Sequence, residues 1–243
     1  LKMVTSDFLT AYPDASPLYK KLAQCLEISQ EQIYLSAGSD AGIKAVFEVY
    51  VELEDEGVVI HPTYAMYYVY SKMFNARLIE VSFDKNLSLP VERITEKISS
   101  TTKLICIANP NSPTGTVFSV KDLEKIIEIA SENGALVLVD EAYYQFYPET
   151  MIDFIDRFDN LIITRTFSKA FGLASIRIGI LIANEKIINE FLPIFMQSEE
   201  FYERTKKLSA GSLSPRVKWS QLSKQEFLIP PIPEQETILS LTH

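Results

Sequence analysis

Three short apolar runs each end in a polar group of a different chemical kind. Leu136-Val137-Leu138-Val139 ends in Asp140, and Leu161-Ile162-Ile163-Thr164 leads through Arg165-Thr166-Phe167-Ser168 to Lys169. Leu104-Ile105-Cys106-Ile107-Ala108 ends in Asn109-Pro110-Asn111-Ser112-Pro113-Thr114-Gly115. Such runs read as buried parallel strands. In open α/β sheets ligands bind in the crevice beyond the carboxyl ends of the strands, so a lysine, a carboxylate and an Asn/Pro/Gly turn are expected along one edge. That trio suits pyridoxal phosphate, with which a lysine forms a Schiff base while an acid pairs with the pyridinium nitrogen.

Each residue carries a specific expectation. Lys169, in Ser168-Lys169-Ala170-Phe171-Gly172, is expected to be buried, since desolvation lowers a lysine pKa and yields a nucleophile. Thr166 and Ser168, with Arg177 further on, are suited to hold a phosphate beside it. Asp140 would keep a pyridine nitrogen protonated, although a carboxylate at a strand end is more usually a turn or a cap. Tyr143 is placed to donate to a phenolic ring oxygen or to pack as a core aromatic. Ser39 and Asp40, in Gly38-Ser39-Asp40-Ala41-Gly42, precede a helix whose N–H groups and dipole suit phosphate, and ordinary capping explains them equally. Tyr64, in Pro62-Thr63-Tyr64, is suited to stack on an aromatic ring or to pack in the core. The Asn109–Gly115 stretch is a turn, and a cis-proline form of it would aim a side-chain amide at a ligand.

The elements that must position these groups alternate. Helices are expected from Pro17 to Glu27 with Ser16 as cap, from Ala41 to about Leu53, from Tyr64 to about Phe74, from Val91 to Ile98 and from Val120 to Asn133. In the last of these, Leu123, Ile126, Ile127 and Ala130 mark one apolar face and Gly134 is a natural stop. Strands are expected at Ile33–Leu35, Gly57–Ile60, Leu78–Val81 and Ile176–Ala183, besides the three above. This alternation predicts an α/β fold, a mostly parallel sheet sandwiched by helices. The periodicity falters near residue 200: residues 201–224 hold Arg204, Lys206, Lys207, Arg216, Lys218 and Lys224 against Glu203. The expected division is residues 1–200 as one large domain and 201–243 as an atypical basic, proline-containing tail.

Composition narrows the classes. The chain has 243 residues, 47% hydrophobic, with 14 Phe and 12 Tyr, which supports a sizeable core. A net charge of −9 disfavours nucleic acid or an anionic membrane as partner. No apolar run approaches a membrane span, and Leu1-Lys2-Met3-Val4-Thr5-Ser6-Asp7 lacks a signal-peptide core. Cys25 and Cys106 are expected to be buried free thiols in a reducing cytoplasm. With only His61 and His243, metal sites and Ser/His/Asp triads lack raw material, so no metal is expected. There is no Walker-type or dinucleotide-binding fingerprint.

Six ordered motifs resemble the class I and II pyridoxal-phosphate-dependent aminotransferases, closest to the histidinol-phosphate aminotransferase group. They are Tyr12-Pro13-Asp14, Gly38-Ser39-Asp40, Pro62-Thr63-Tyr64-Ala65-Met66-Tyr67, Asn111-Ser112-Pro113-Thr114-Gly115, Asp140-Glu141-Ala142-Tyr143, and Ser168-Lys169-Ala170-Phe171-Gly172 with Arg177. The resemblance implies that Lys169 holds the cofactor and then shuttles the proton during amino-group transfer. By the same resemblance Asp140 pairs with the pyridine nitrogen, Tyr143 bonds the ring oxygen and Tyr64 stacks on the ring. Ser39, Asp40, Thr166, Ser168 and Arg177 surround the phosphate, and Tyr12 reaches into the partner's site of a homodimer. The implied substrates are a small amino donor and a 2-oxo acid, with histidinol phosphate, aromatic amino acids and phosphothreonine-type donors all open.

Three departures qualify that resemblance. Ser112 stands where the family has a ring-contacting asparagine, so either Asn111 or Asn109 substitutes or that hydrogen bond is weaker. The family's N-terminal segment before Tyr12 is longer. The small C-terminal domain, with its carboxylate-binding arginine, is expected to be missing. In its place Leu228-Ile229-Pro230-Pro231-Ile232-Pro233-Glu234-Gln235-Glu236 resembles a repeat end of type I restriction specificity subunits. A cofactor-binding remnant without turnover is therefore the alternative expectation.

Overall fold

A computed structural model of the chain describes residues 14–88 and 90–191. In chain order the elements are α1 (Ser16–Leu26), β1 (Ile33–Ser36), α2 (Ser39–Tyr50), β2 (Glu56–His61), α3 (Met66–Met73), β3 (Arg77–Ser82) and α4 (Val91–Thr95). They continue with β4 (Thr102–Ala108), α5 (Val120–Glu132), β5 (Leu136–Asp140), β6 (Leu161–Thr166), β7 (Gly179–Ala183) and α6 (Glu185–Asn189). Residues 32–188 form one compact unit that carries the whole sheet. The expected boundary near residue 200 and the whole tail lie outside the described residues.

The seven strands run in the order β1-β7-β6-β5-β4-β2-β3. Pairing is parallel from β3 across β2, β4 and β5 to β6, whereas β7 pairs antiparallel with both β6 and β1. Apolar side chains predict this placement. β5, β6 and β7 are buried almost throughout, and the edge strand β3 is largely exposed. α5 presents the expected face, with Leu123, Ile126, Ile127 and Ala130 buried. The Ser119 hydroxyl accepts from the Asp122 N–H to cap it, and Gly134 follows the helix at φ 73°. From β2 the chain steps outward to β3, then back past β2 to β4 and on to β5. The direction of winding therefore reverses between β2 and β4, the place where an open α/β sheet leaves a crevice at its strand ends.

Several boundaries differ from the sequence expectation for identifiable reasons. Asp14, not Ser16, supplies the side-chain oxygen at the start of α1, accepting from the Ser16 N–H at 3.0 Å. α2 begins at Ser39 and ends at Tyr50, and α4 stops at Thr95. β7 starts at Gly179 instead of Ile176, because residues 174–176 form a 3-10 turn and Arg177 adopts a left-handed conformation. Cys106 is buried as expected, whereas Cys25 is exposed on α1. Among the described residues no helix is long and apolar enough to cross a membrane.

Candidate active site

Asp140 closes β5 and is 5% exposed. Its main-chain oxygen accepts from the Asn109 N–H at 2.9 Å, which binds the ends of β5 and β4 together. Of the two carboxylate oxygens, Oδ1 accepts from the Ala142 N–H and Oδ2 from the Tyr67 hydroxyl, each at 3.1 Å. Burial pushes the Asp140 pKa up to about 6; the donors Tyr67 and Ala142 oppose the rise, and the charges of Asp40 and Glu141 add to it.

Tyr64 and Tyr67 reach this edge from the chain that leaves β2 and enters α3. Their rings meet edge to face at 5.7 Å. The Tyr64 hydroxyl donates to Asp40 Oδ1 at 2.7 Å. Partial burial and that carboxylate hold the Tyr64 phenol above its usual pKa. Asp40 thus turns its carboxylate to a phenol, and only its backbone remains for an anion. The fully buried Tyr67 phenol is raised too, chiefly by burial.

The turn after β4 is built around its two asparagines. Asn111 Oδ1 accepts from the Thr63 hydroxyl at 2.8 Å, and Nδ2 donates to the Pro62 carbonyl at 3.0 Å and to Thr114 Oγ1 at 2.8 Å. Both amide hydrogens of Asn111 are therefore engaged, which leaves only an acceptor lone pair for a ligand. Asn109 is committed as well: its amide pairs with the N–H and carbonyl of Phe118. The His61–Pro62, Asn109–Pro110 and Ser112–Pro113 peptide bonds are cis.

Across β5 from the Asn109–Gly115 turn, β6 and β7 carry polar groups to the start of α2. Thr166, the last residue of β6, pairs in register with Gly179 of β7. A Cβ on Gly179 would stand 2.3 Å from the Gly38 carbonyl carbon and the Ser39 nitrogen, so only glycine lets β7 lie against the start of α2. Gly38, at φ 82°, leaves room for the Arg177 guanidinium, whose Nη2 stands 2.7 Å from where a Cβ would be. The opening N–H groups of α2 have no intrahelical acceptor. Beside them, Thr166 Oγ1 accepts from the Ser168 N–H at 3.2 Å. The Ser168 hydroxyl is buried with no hydrogen-bond partner among the described residues. A guanidinium, a helix start and an orphaned hydroxyl fit a phosphate group.

Lys169 departs from expectation in being exposed. It lies in the loop 167–177, which leaves β6 for the surface, as connecting segments ordinarily do. Its ammonium stands 5.3 Å from the centre of the Tyr143 ring. The structure thus places Lys169 and Tyr143 together, and Asp140, Tyr64 and Asp40 together. Ser39, Thr166, Ser168 and Arg177 gather at the start of α2. Tyr12 lies outside the described residues.

Sequence reasoning missed two features. Tyr67 has no role that its motif alone assigns, and its spacing of three residues from Tyr64 at a helix start is the available signal. Arg165 lies inside the buried strand β6. It donates through Nε at 2.9 Å and Nη2 at 2.7 Å to Glu141 Oε2, and its guanidinium lies 3.8 Å from the Tyr144 ring centre. Thr150 Oγ1 and the Met151 N–H also bond Glu141. This buried cluster fastens the segment after Asp140 to β6. A charge within an apolar central strand was its signal, since such a charge demands a partner.

Comparison with known proteins gives one family. A model described as aminotransferase class I and II matches residues 8–214. Histidinol-phosphate aminotransferase from Caldanaerobacter subterraneus subsp. tengcongensis is 39% identical over 189 residues, which cover 76% of this chain and 53% of that protein. Histidinol-phosphate aminotransferase from Thermoanaerobacter pseudethanolicus is 36% identical over 237 residues, covering 94% of this chain and 66% of that protein. A pyridoxal-phosphate-dependent aminotransferase from Streptococcus suis superposes with a TM-score of 0.70 at 26% identity, over 83% of this chain and 62% of that one. The chain thus spans between 53% and 66% of the length of these relatives.

Proposed function

The chain belongs to the class I and II aminotransferases, and from that membership we propose that it binds pyridoxal phosphate and serves amino-group transfer from an amino acid or amino-alcohol phosphate to a 2-oxo acid. The observation that carries this reading is Asp140. Its described partners, the Tyr67 hydroxyl and the Ala142 N–H, are both neutral. A buried carboxylate without a cation is costly, and a protonated pyridine nitrogen is a cation of suitable shape and strength.

In this reading Asp140 holds the proton on the pyridine nitrogen. Tyr64 lies against the ring with its hydroxyl tethered to Asp40, and Tyr143 serves the ring oxygen. Asn111 accepts from the ring's surroundings through its remaining lone pair. The N–H groups of Ser39 and Asp40, the hydroxyls of Thr166 and Ser168, and Arg177 hold the phosphate. When bound, the cofactor supplies an electron-withdrawing ring that absorbs carbanion charge. Lys169 Nζ is the group that would carry the cofactor and move the proton. We place this activity in a cytoplasmic homodimer in which Tyr12 of one copy serves the other.

The test is direct. Purified protein mixed with pyridoxal phosphate is expected to turn yellow, and borohydride to fix the cofactor on one peptide that contains Lys169. Lys169→Ala should abolish the covalent adduct while retaining weak cofactor binding. A colourless protein without adduct would refute the proposal. A second reading, cofactor capture without turnover, is favoured by the exposure of Lys169 and of its apolar neighbours Phe171, Leu173 and Ile176. Water exclusion is part of what such a site contributes. Colour without amino transfer to 2-oxoglutarate selects this second reading.

A further inference from the structure

Tyr64 and Tyr67 sit three residues apart where the chain enters α3, so their side chains lie on one side of the helix start. They nevertheless serve different acids. Tyr64 donates to Asp40 on α2, and Tyr67 donates to Asp140 at the end of β5. Tyr67 is 0% exposed. A phenylalanine would fill the same space, and a buried hydroxyl without a partner is destabilising. The position therefore requires a donor, and that donor goes to the carboxylate.

The geometry at Asp140 shows what the donor does. The Ala142 N–H takes Oδ1 and comes from the same segment as Asp140, so it restrains only one oxygen. The Tyr67 hydroxyl takes Oδ2 from a separate element. Two donors from two directions, one on each oxygen, fix the plane of the carboxylate and leave its remaining lone pairs for a third donor. We propose that Tyr67 is a positioning residue: its hydroxyl orients the Asp140 carboxylate and sustains its charge so that it meets a protonated ring nitrogen. This inference rests on the cofactor reading above.

Among the described residues, no other side chain facing Asp140 does that work. The groups around it are Tyr64 and Tyr67 from the entry to α3, Asp40 from α2, Cys106 from β4 and Glu141 from the end of β5. Of these, Asp40 and Glu141 favour a protonated Asp140, and burial acts in the same direction. Tyr67 opposes them, together with the Ala142 N–H. Tyr67→Phe should shift Asp140 toward its neutral form, in which it is unable to hold a pyridinium.

The test uses the full chain. Cofactor dissociation constants are measured by fluorescence between about pH 5 and pH 8 for the unsubstituted chain, Tyr67→Phe, Asp140→Asn and the double variant. Affinity should fall on the acid side of a midpoint near 6 in the unsubstituted chain. In Tyr67→Phe that midpoint should rise by about one pH unit, which means binding weaker by about two- to sixfold between the two midpoints and by about tenfold well below them. In the Asp140→Asn background Tyr67→Phe should change nothing further. Coincident profiles for the unsubstituted chain and Tyr67→Phe, or an equal loss in both backgrounds, overturn the proposal. A second measurement covers the case in which Tyr67→Phe does not fold. In the cofactor-free chain a tyrosine ultraviolet difference should titrate with Asp140 and vanish in Asp140→Asn, and a flat response overturns the pairing. Failure of the unsubstituted chain to bind the cofactor refutes the aminotransferase reading instead, and the ultraviolet titration still decides the Tyr67–Asp140 pairing.

Discussion

Asp140 has opposite consequences for stability and for binding. Its pKa is raised from the ordinary carboxylate value to about 6 by burial. Between about pH 4 and pH 6 the folded, cofactor-free chain keeps a proton that the unfolded chain has released. The native state binds more protons there, so stability falls as pH rises through that window. The contribution is fully present below the unfolded pKa and is lost once pH passes about 6. A shift of about two units corresponds to about 3 kcal/mol as an upper bound. Asp140→Asn is therefore expected to raise the unfolding free energy of the cofactor-free chain at pH 7 by up to that amount. The gain should disappear near pH 4, measured by urea denaturation. An equal or lower stability at pH 7 would contradict the burial argument. The same substitution is expected to weaken cofactor binding at pH 7, so stability and binding move in opposite directions.

At the scale of elements, two contacts hold the site's walls. The first is the approach of β7 to α2 at Gly179, where a Cβ would meet backbone atoms at 2.3 Å. Neither partner is a flexible side chain, so relief requires backbone movement. Gly179→Ala should cost about 3 kcal/mol or more, and it should also weaken binding of inorganic phosphate, because it displaces the start of α2 from Thr166 and Arg177. Urea melts and phosphate competition against the cofactor measure the two effects; a variant as stable and as retentive as the parent would sink the argument. The second contact is the buried Arg165–Glu141 pair between β6 and the segment after β5. Removing one charge strands the other, so Arg165→Met should cost about 3–5 kcal/mol. The double change Arg165→Met with Glu141→Leu should cost less than the single one. A double variant that is worse than either single would show that the pair is worth more than its burial penalty.

For the whole molecule, the notable surface surrounds Lys169. Phe146 is 71% exposed and Phe171 49% exposed, and the loop that bears Phe171 continues with exposed Leu173 and Ile176. Phe146 lies beside Tyr143, whose ring faces Lys169. Apolar side chains beside the proposed cofactor lysine are what a covering surface would take. The proposed homodimer predicts that the chain sediments as a dimer at micromolar concentration. It further predicts that Phe171→Asp with Ile176→Asp yields a monomer with weaker cofactor retention. A monomeric parent chain would refute the homodimer.

Much of the fold was legible because parallel strands buried on both faces need unbroken apolar runs, and the runs ending at Ala108, Val139 and Thr164 are such strands. The groups that follow them, Asp140 and the Asn109–Gly115 turn, were legible for the same reason: a strand's end is a local property. The apolar face of α5 and Gly134 likewise follow from periodicity and capping. What the tertiary structure alone decided depends on the order of strands and on approaches between distant segments. The winding reversal that puts β4 beside β2 brings Thr63 to Asn111 and Tyr67 to Asp140, and no spacing within either segment encodes that meeting. Two tyrosines with the same local pattern separate into partners of Asp40 and Asp140 only when α2 and β5 are in place. Exposure of Lys169, expected to be buried, follows from the course of a surface loop, which the pattern of the preceding strand does not control. Residue chemistry and strand ends were thus written in the sequence. The pairing of each group with its partner was settled by the packing that brings remote parts of the chain within hydrogen-bonding distance.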